Sequence, residues 1–331
     1  MPEQYTTPFT SRALIMSGTL WIDLGDLLKT NQFYGWGGDG DVDFDGISSF
    51  TYDFADGPTY DSESSMYVYT LNRDIHPKSL FVRGSNILRT NGYRILGTGN
   101  DDITVYGIVC NDGQLSSDGS PSPGAPSGTV PGGFDSGYYA FSGPVDASPI
   151  TNGIYSITAS GGNGVSPYGA SNASSGSMYS SYMSEGQYDS WLASPGDLLK
   201  AFVTSAVDIE NTTTYAQPQC GGGGGFGLGP SNGGGGGGCV VMSARSITVN
   251  GSYGSGLGVV RANGASTTTL GGGGGGGLVI LVTRLGVTAS SGGVVEAAGG
   301  TSGQVLDFSA PGDNYYGNPG GAGLVIQSVT G

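Results

Sequence analysis

Short apolar runs broken by glycine, asparagine, aspartate and serine set the rhythm of this chain. Ser65 to Leu71, Ser79 to Arg83, Tyr93 to Leu96 and Ile103 to Val109 are rich in β-branched or aromatic residues, which suits strands on a pleated, half-buried surface. Gly84, Asn91-Gly92, Gly97 and Asn111-Asp112-Gly113 separate them and supply the turns. No window keeps apolar residues at i, i+3, i+4 and i+7, so helices are not expected. Residues 1–34 depart from the rhythm, being more continuously apolar between Ser11 and Leu28. They read as a separate docking segment.

A unit repeats in the last third of the chain. The glycine run Gly233–Gly238 leads into Cys239-Val240-Val241-Met242, then Ile247-Thr248-Val249-Asn250-Gly251, then Val259-Val260-Arg261-Ala262-Asn263-Gly264. The run Gly271–Gly277 leads into Leu278-Val279-Ile280-Leu281, then Gly286-Val287-Thr288-Ala289, then Val294-Val295-Glu296-Ala297-Ala298-Gly299. A degraded copy, Gly320-Gly321-Ala322-Gly323 before Leu324-Val325-Ile326, closes the series. The starts Cys239, Leu278 and Leu324 lie 39 and 46 residues apart, so loop length varies while the unit persists. Ile103-Thr104-Val105 with Ile108-Val109-Cys110-Asn111-Asp112-Gly113 parallels the Ile247 and Val259 segments without their glycines.

The expected fold is therefore all-β: a β-solenoid or β-helix-like stack of repeats with packed polyglycine II segments and a loop-rich insertion. Its parts are 1–34 (docking), 35–114 (solenoid), 115–215 (an insertion rich in Ser, Gly, Tyr and Pro) and 216–331 (glycine-rich repeats). Gly-rich chains otherwise behave as flexible linkers. Here each run abuts an apolar strand, and side-by-side extended glycine chains can satisfy their backbone groups on one another.

Composition narrows the function. Glycine supplies 66 of 331 residues but never at every third position, which excludes collagen. A net charge of −15 with 11 basic residues gives no footprint for nucleic acid or anionic membranes. The longest apolar stretch, Leu278 to Val282, is far below the roughly 20 residues of a spanning helix. The first residues lack the basic flank and apolar core of a signal peptide, so synthesis without export by that route is expected. Cys110, Cys220 and Cys239 form no C-x-x-C and read as small buried residues.

Gly37 to Val42, Tyr69 to Asp74, Leu88 to Ile95, Ile103 to Val105 and Asn111 to Gly113, with the glycine runs before Leu278 and Val294, resemble glycine-rich β-solenoid virion proteins of tailed bacteriophages. A looser similarity is to tail-fibre adhesins that stack polyglycine helices. The resemblance covers residues 35–113 and 220–331 and implies tail fibres, tail-associated proteins or capsid decorations.

Candidate chemistry is sparse. Asp41-Val42-Asp43-Phe44-Asp45-Gly46 opens like a calcium loop, but Tyr52 stands where the closing Glu belongs, and simple strand alternation explains the three aspartates. His76, the one histidine, has no G-x-S-x-G partner and reads as a surface residue. Asp53, Asp56, Asp61 and Glu63 lie near Tyr52, Phe54 and Tyr60, the arrangement a glycosidase would need, but solvated loop acids account for them. Tyr138, Tyr139, Tyr155, Tyr168, Tyr179, Tyr182 and Tyr188, set among Ser, Gly and Asn, are the candidate partner or glycan contacts.

The sequence expectation is a non-enzymatic virion-surface protein without cofactor. It would be a homo-oligomer, for which a trimer is one arrangement, attached to other virion proteins through residues 1–34. A fibre would touch host surface polysaccharide or an outer-membrane protein. Capsid decoration is the alternative, and a bacterial surface adhesin the third reading.

Overall fold

The computed structural model describes residues 33–47, 52–115, 122–133, 233–251, 257–267, 271–302 and 318–330, with shorter pieces at 12–16, 19–23, 135–136, 156–159, 161, 219–221, 223–224, 304–305 and 315–316. In chain order the strands are β1 (Arg12–Met16), β2 (Thr19–Asp23), β3 (Asp41–Phe44), β4 (Ala55–Asp61), β5 (Met66–Leu71), β6 (Ser79–Val82), β7 (Asn86–Arg89), β8 (Ile95–Leu96), β9 (Ile103–Val105) and β10 (Ile108–Cys110). They continue with β11 (Ser156–Ala159), β12 (Gln219–Gly221), β13 (Cys239–Asn250), β14 (Val259–Arg261), β15 (Leu278–Ser290), β16 (Val294–Glu296), β17 (Gln304–Val305), β18 (Tyr315–Tyr316) and β19 (Leu324–Val329).

Alternation dictates which face each strand buries. In β3, Val42 and Phe44 are buried while Asp41 and Asp43 point outward; Leu80 and Val82 do the same in β6. These residues meet Ile103, Val105, Ile247, Val249, Met242 and Leu281 from one sheet, and Tyr69, Leu71, Leu88, Val109 and Val260 from a second, in one apolar core. Each fully buried aliphatic or aromatic side chain contributes about 1.5–3 kcal/mol, so this core is the main source of stability. Phe44 and Tyr69 lie 4.7 Å apart between ring centres, and the Tyr69 hydroxyl accepts the Gly46 N–H at 3.0 Å. The largest buried ring thereby keeps its polar end satisfied.

The first sheet runs β2-β1-β19-β15-β13-β9-β6-β3, with β8 also on β13; the second runs β16-β14-β10-β7-β5-β4. Most neighbours are parallel, but β1 is antiparallel to both β2 and β19, and β4 is antiparallel to β5. The repeats pair in the register that their sequences align. Cys239 faces Leu278 and Leu278 faces Leu324; Ile247 faces Ile103 on one side and Val287 on the other; Ile108 faces Val259.

The solenoid expectation is corrected. What exists is a set of parallel and mixed sheets with no helix among the described residues, and no solenoid is indicated. Strand lengths explain why the coil picture fails. The segments read as separate strands before and after Ser243–Ser246 and Thr283–Leu285 fuse into continuous strands of 12 and 13 residues, whereas their counterparts β14 and β16 have three each. Antiparallel strands at both margins also break any constant winding.

Candidate functional site

Two features stand out from the sheet scaffold, a lattice of glycine chains and a cleft on the outer face of the second sheet. In the lattice, Gly233–Gly238 and Gly271–Gly277 are buried and hydrogen-bonded with a period of three. Gly273 and Gly276 donate to the carbonyls of Asn318 and Gly321 (3.0 and 2.9 Å). Gly274 and Gly277 donate to Ala265 and Ala262 (3.0 and 2.7 Å). Gly272 and Gly275 accept from Gly234 and Gly237, both at 2.9 Å. Successive residues thus address three different neighbouring chains, and backbone groups that would otherwise be buried without partners find them. Glycine is required sterically: a Cβ on Gly273, Gly274 or Gly277 would lie 2.0, 2.0 or 1.9 Å from a neighbouring carbonyl oxygen.

Further segments join the lattice. Gly221 and Gly224 donate to Gly237 and Gly234, and Ala125 donates to Gly236. Asn111 ties lattice to sheet: its carbonyl accepts from Gly238 at 2.9 Å, and its buried amide donates to the carbonyls of Pro126 (3.1 Å) and Cys239 (3.3 Å). Cys110, Cys220 and Cys239 are free and buried. Burial, with the hydrogen-bonded Cys220 thiol beside it, pushes the Cys239 thiol well above its usual pKa.

The cleft follows from strand register. On the outward row of the second sheet, Thr70, Arg89, Cys110, Arg261 and Glu296 stand side by side on β5, β7, β10, β14 and β16. Cys110 is short, so its place between two arginines is a gap. A depression of about 270 Å³ opens there, lined among others by Arg89, Asn91, Asp112, Gln114 and Arg261. The Arg261 Nε donates to Asp112 Oδ2 at 2.8 Å, and the Asn263 N–H donates to Asp112 Oδ1 at 2.8 Å. Burial raises the Asp112 pKa despite these donors. The Arg89 side chain is exposed and makes no hydrogen bond or ion pair with the described residues, although Asp61 feels its charge.

Among the described residues, those singled out in the sequence do not converge on one site. Asp43 is held by Arg83 through Nε (3.0 Å) and Nη2 (2.6 Å), Asp41 accepts from the Ser79 hydroxyl, and Asp45 accepts the Ile47 N–H. Among the described residues no three His, Cys, Asp or Glu side chains cluster as a metal site would require. Asp53 pairs with Arg73, and Asp61 caps its own turn through Glu63 N–H and the Ser64 hydroxyl. His76 is packed against Trp36, with its Nδ1 buried and unpartnered; burial lowers its pKa. Tyr138, Tyr139, Tyr155, Tyr168, Tyr179, Tyr182 and Tyr188 lie outside the described residues.

Sequence reading missed the Arg89, Asp112 and Arg261 cleft, although a signal for it existed. Leu88-Arg89-Thr90-Asn91-Gly92, Val109-Cys110-Asn111-Asp112-Gly113 and Val260-Arg261-Ala262-Asn263-Gly264 share one pattern, and stacking them puts the two arginines astride a cysteine. Compared with known proteins, the chain matches no family model, no curated protein and no solved structure.

Proposed function

We propose that this chain is a non-enzymatic structural protein of a tailed-bacteriophage virion, a surface appendage that contacts the host cell. The glycine lattice is the observation that carries the reading. Rods of backbone joined in three directions make a stiff body whose rigidity does not depend on side-chain chemistry, which suits a part that must hold a contact surface away from a particle. The reading also draws on the sequence resemblance of residues 35–113 and 220–331 to glycine-rich phage virion proteins, without the solenoid fold that came with it. Its carboxylates add to this support, because Asp39, Asp43, Asp74, Asp102 and Asp112 are engaged by arginines and so serve the scaffold.

Gold-labelled antibody against the purified chain, applied to intact particles, tests the proposal. Label on the tail together with blocked adsorption to host cells is the expected result. Label confined to the head transfers the chain to capsid decoration, and unlabelled particles overturn the virion reading.

A further inference from the structure

We propose that the cleft between Arg89 and Arg261 binds the carboxylate of an acidic sugar, a hexuronate unit of a surface polysaccharide. Charge bookkeeping singles this place out. Arg73, Arg83, Arg94, Arg245 and Arg261 each face an aspartate, and Arg284 reaches Asn100 and the Tyr34 ring. Among the arginines whose side chains are described, Arg89 is the one whose guanidinium makes no hydrogen bond, ion pair or ring contact, with Asp61 acting on it only at longer range, and it lines a depression. On a chain of net charge −15, a guanidinium in a cleft whose donors are not spent on a carboxylate is a place an anion would find, with Asp61 and the Arg261-bound Asp112 as the nearby negative charges it must compete with. Screening limits the repulsion from the rest of the surface to about 8 Å at physiological salt.

The second guanidinium is already oriented. Arg261 spends its Nε on Asp112, and Asp112 is fixed in turn by the Asn263 N–H, so this side of the cleft is rigid before a ligand arrives. Arg89 supplies the planar fork that matches a carboxylate. Asn91 and Gln114 add amides that both donate and accept, as sugar hydroxyls require. The volume, about 270 Å³, lies just under the roughly 300–1,000 Å³ of drug-sized pockets and suits one sugar ring. No aromatic ring lines the described cleft, so a neutral sugar would find no stacking surface there. The choice of a sugar acid rests on the host-contact reading above, whereas the anion site is argued from the cleft and the placement of its two guanidiniums.

Titration calorimetry on the full chain tests it, with tetragalacturonate as probe and its methyl ester, inorganic phosphate and acetate as comparisons. Tetragalacturonate is expected to bind saturably, with Kd near or below about 1 mM. The methyl ester, which keeps the shape and loses the charge, should bind at least about tenfold more weakly. Arg89→Gln should lose roughly ten- to hundredfold, and Arg89→Lys should fall between, because it keeps the charge without the fork. Arg89 is exposed, so both variants should melt with the parent. Equal affinity for ester and acid, equal affinity for phosphate, or unchanged binding in Arg89→Gln would each overturn the assignment. Particle labelling can fail without altering this titration, and the titration can fail on a chain that labels tails, so the two readings are separately refutable.

Discussion

Replacing Gly274 with alanine places one methyl group in the middle of the glycine lattice. Its Cβ would lie 2.0 Å from the Gly235 oxygen and 2.6 Å from the Gly235 carbonyl carbon, where ordinary contact begins near 3.4 Å. Relief requires the two chains to part by about 1.4 Å. The bonds at stake are Ala265 to Gly235 (2.9 Å), Gly274 to Ala265 (3.0 Å), and the pair Gly234 to Gly272 and Gly237 to Gly275 (both 2.9 Å). A separation of that size takes N···O distances beyond 4 Å, where nothing of the bond remains. At about 1–3 kcal/mol for each buried group left unpaired, the loss is at least about 4 kcal/mol. Gly40 is the control: a Cβ there meets nothing within 4 Å, and its φ of +70° limits the cost of Gly40→Ala to about 1–2 kcal/mol. Both substitutions remove the same freedom from the unfolded chain, so the difference belongs to the lattice. In thermal unfolding followed by circular dichroism, Gly274→Ala should melt at least about 6 °C below the parent and Gly40→Ala only about 1–3 °C below. Equal melting of the two variants would refute the steric reasoning.

Other expectations concern the charged and sulfur-bearing groups. Asp74 takes Arg94 through Nε and Nη2 (2.8 and 2.6 Å), with side-chain exposures of 14% and 11%, and also binds the Thr129 hydroxyl. Asp74→Ala should therefore cost about 3–5 kcal/mol in denaturant titration. The Asp43 and Arg83 pair is more than 40% exposed on both sides, and Asp43→Ala should cost below about 1 kcal/mol; equal costs would contradict the burial argument. Burial lowers the His76 pKa below its unfolded value of about 6.5, so its contribution is complete above that pH and is lost as pH falls through the lowered pKa. The NMR titration midpoint of this single imidazole should lie below about 6.5, and a higher midpoint would reverse the sign. Cys220 and Cys239 are fully buried, so a thiol reagent should label them in the native chain only at the rate of its opening, whereas Cys110 at the cleft floor is the first to react; immediate labelling of all three would contradict that.

Strand positions and register were legible because the repeats align side by side. The pairings of Cys239 with Leu278 and of Ile103 with Ile247 could be read by superposing sequence segments, since neighbouring parallel strands share a hydrophobic pattern. β7 was missed as a strand because Asn86 to Arg89 is short and its one outward charge hides the alternation. The length of β13 and β15 was missed because Ser243–Ser246 and Thr283–Gly286 look like turns, yet both stay in the ladder through an irregular register between Ala244 and Ser246. The same two strands misled the solenoid expectation, since turns placed there would have closed equal coils. The cleft was harder to read, as Arg89 and Arg261 lie far apart in sequence and meet only through Cys110 between them.

Hydrogen exchange at the glycine amides tests the central claim most directly. If the runs are a buried lattice, the N–H groups of Gly234, Gly237, Gly273, Gly274, Gly276 and Gly277 should exchange as slowly as those of β13 and β15, at least about a thousandfold below the unfolded rate. Exchange of these amides at the rate of an unstructured chain, with β13 and β15 still protected, would show the runs to be flexible tethers and contradict the account.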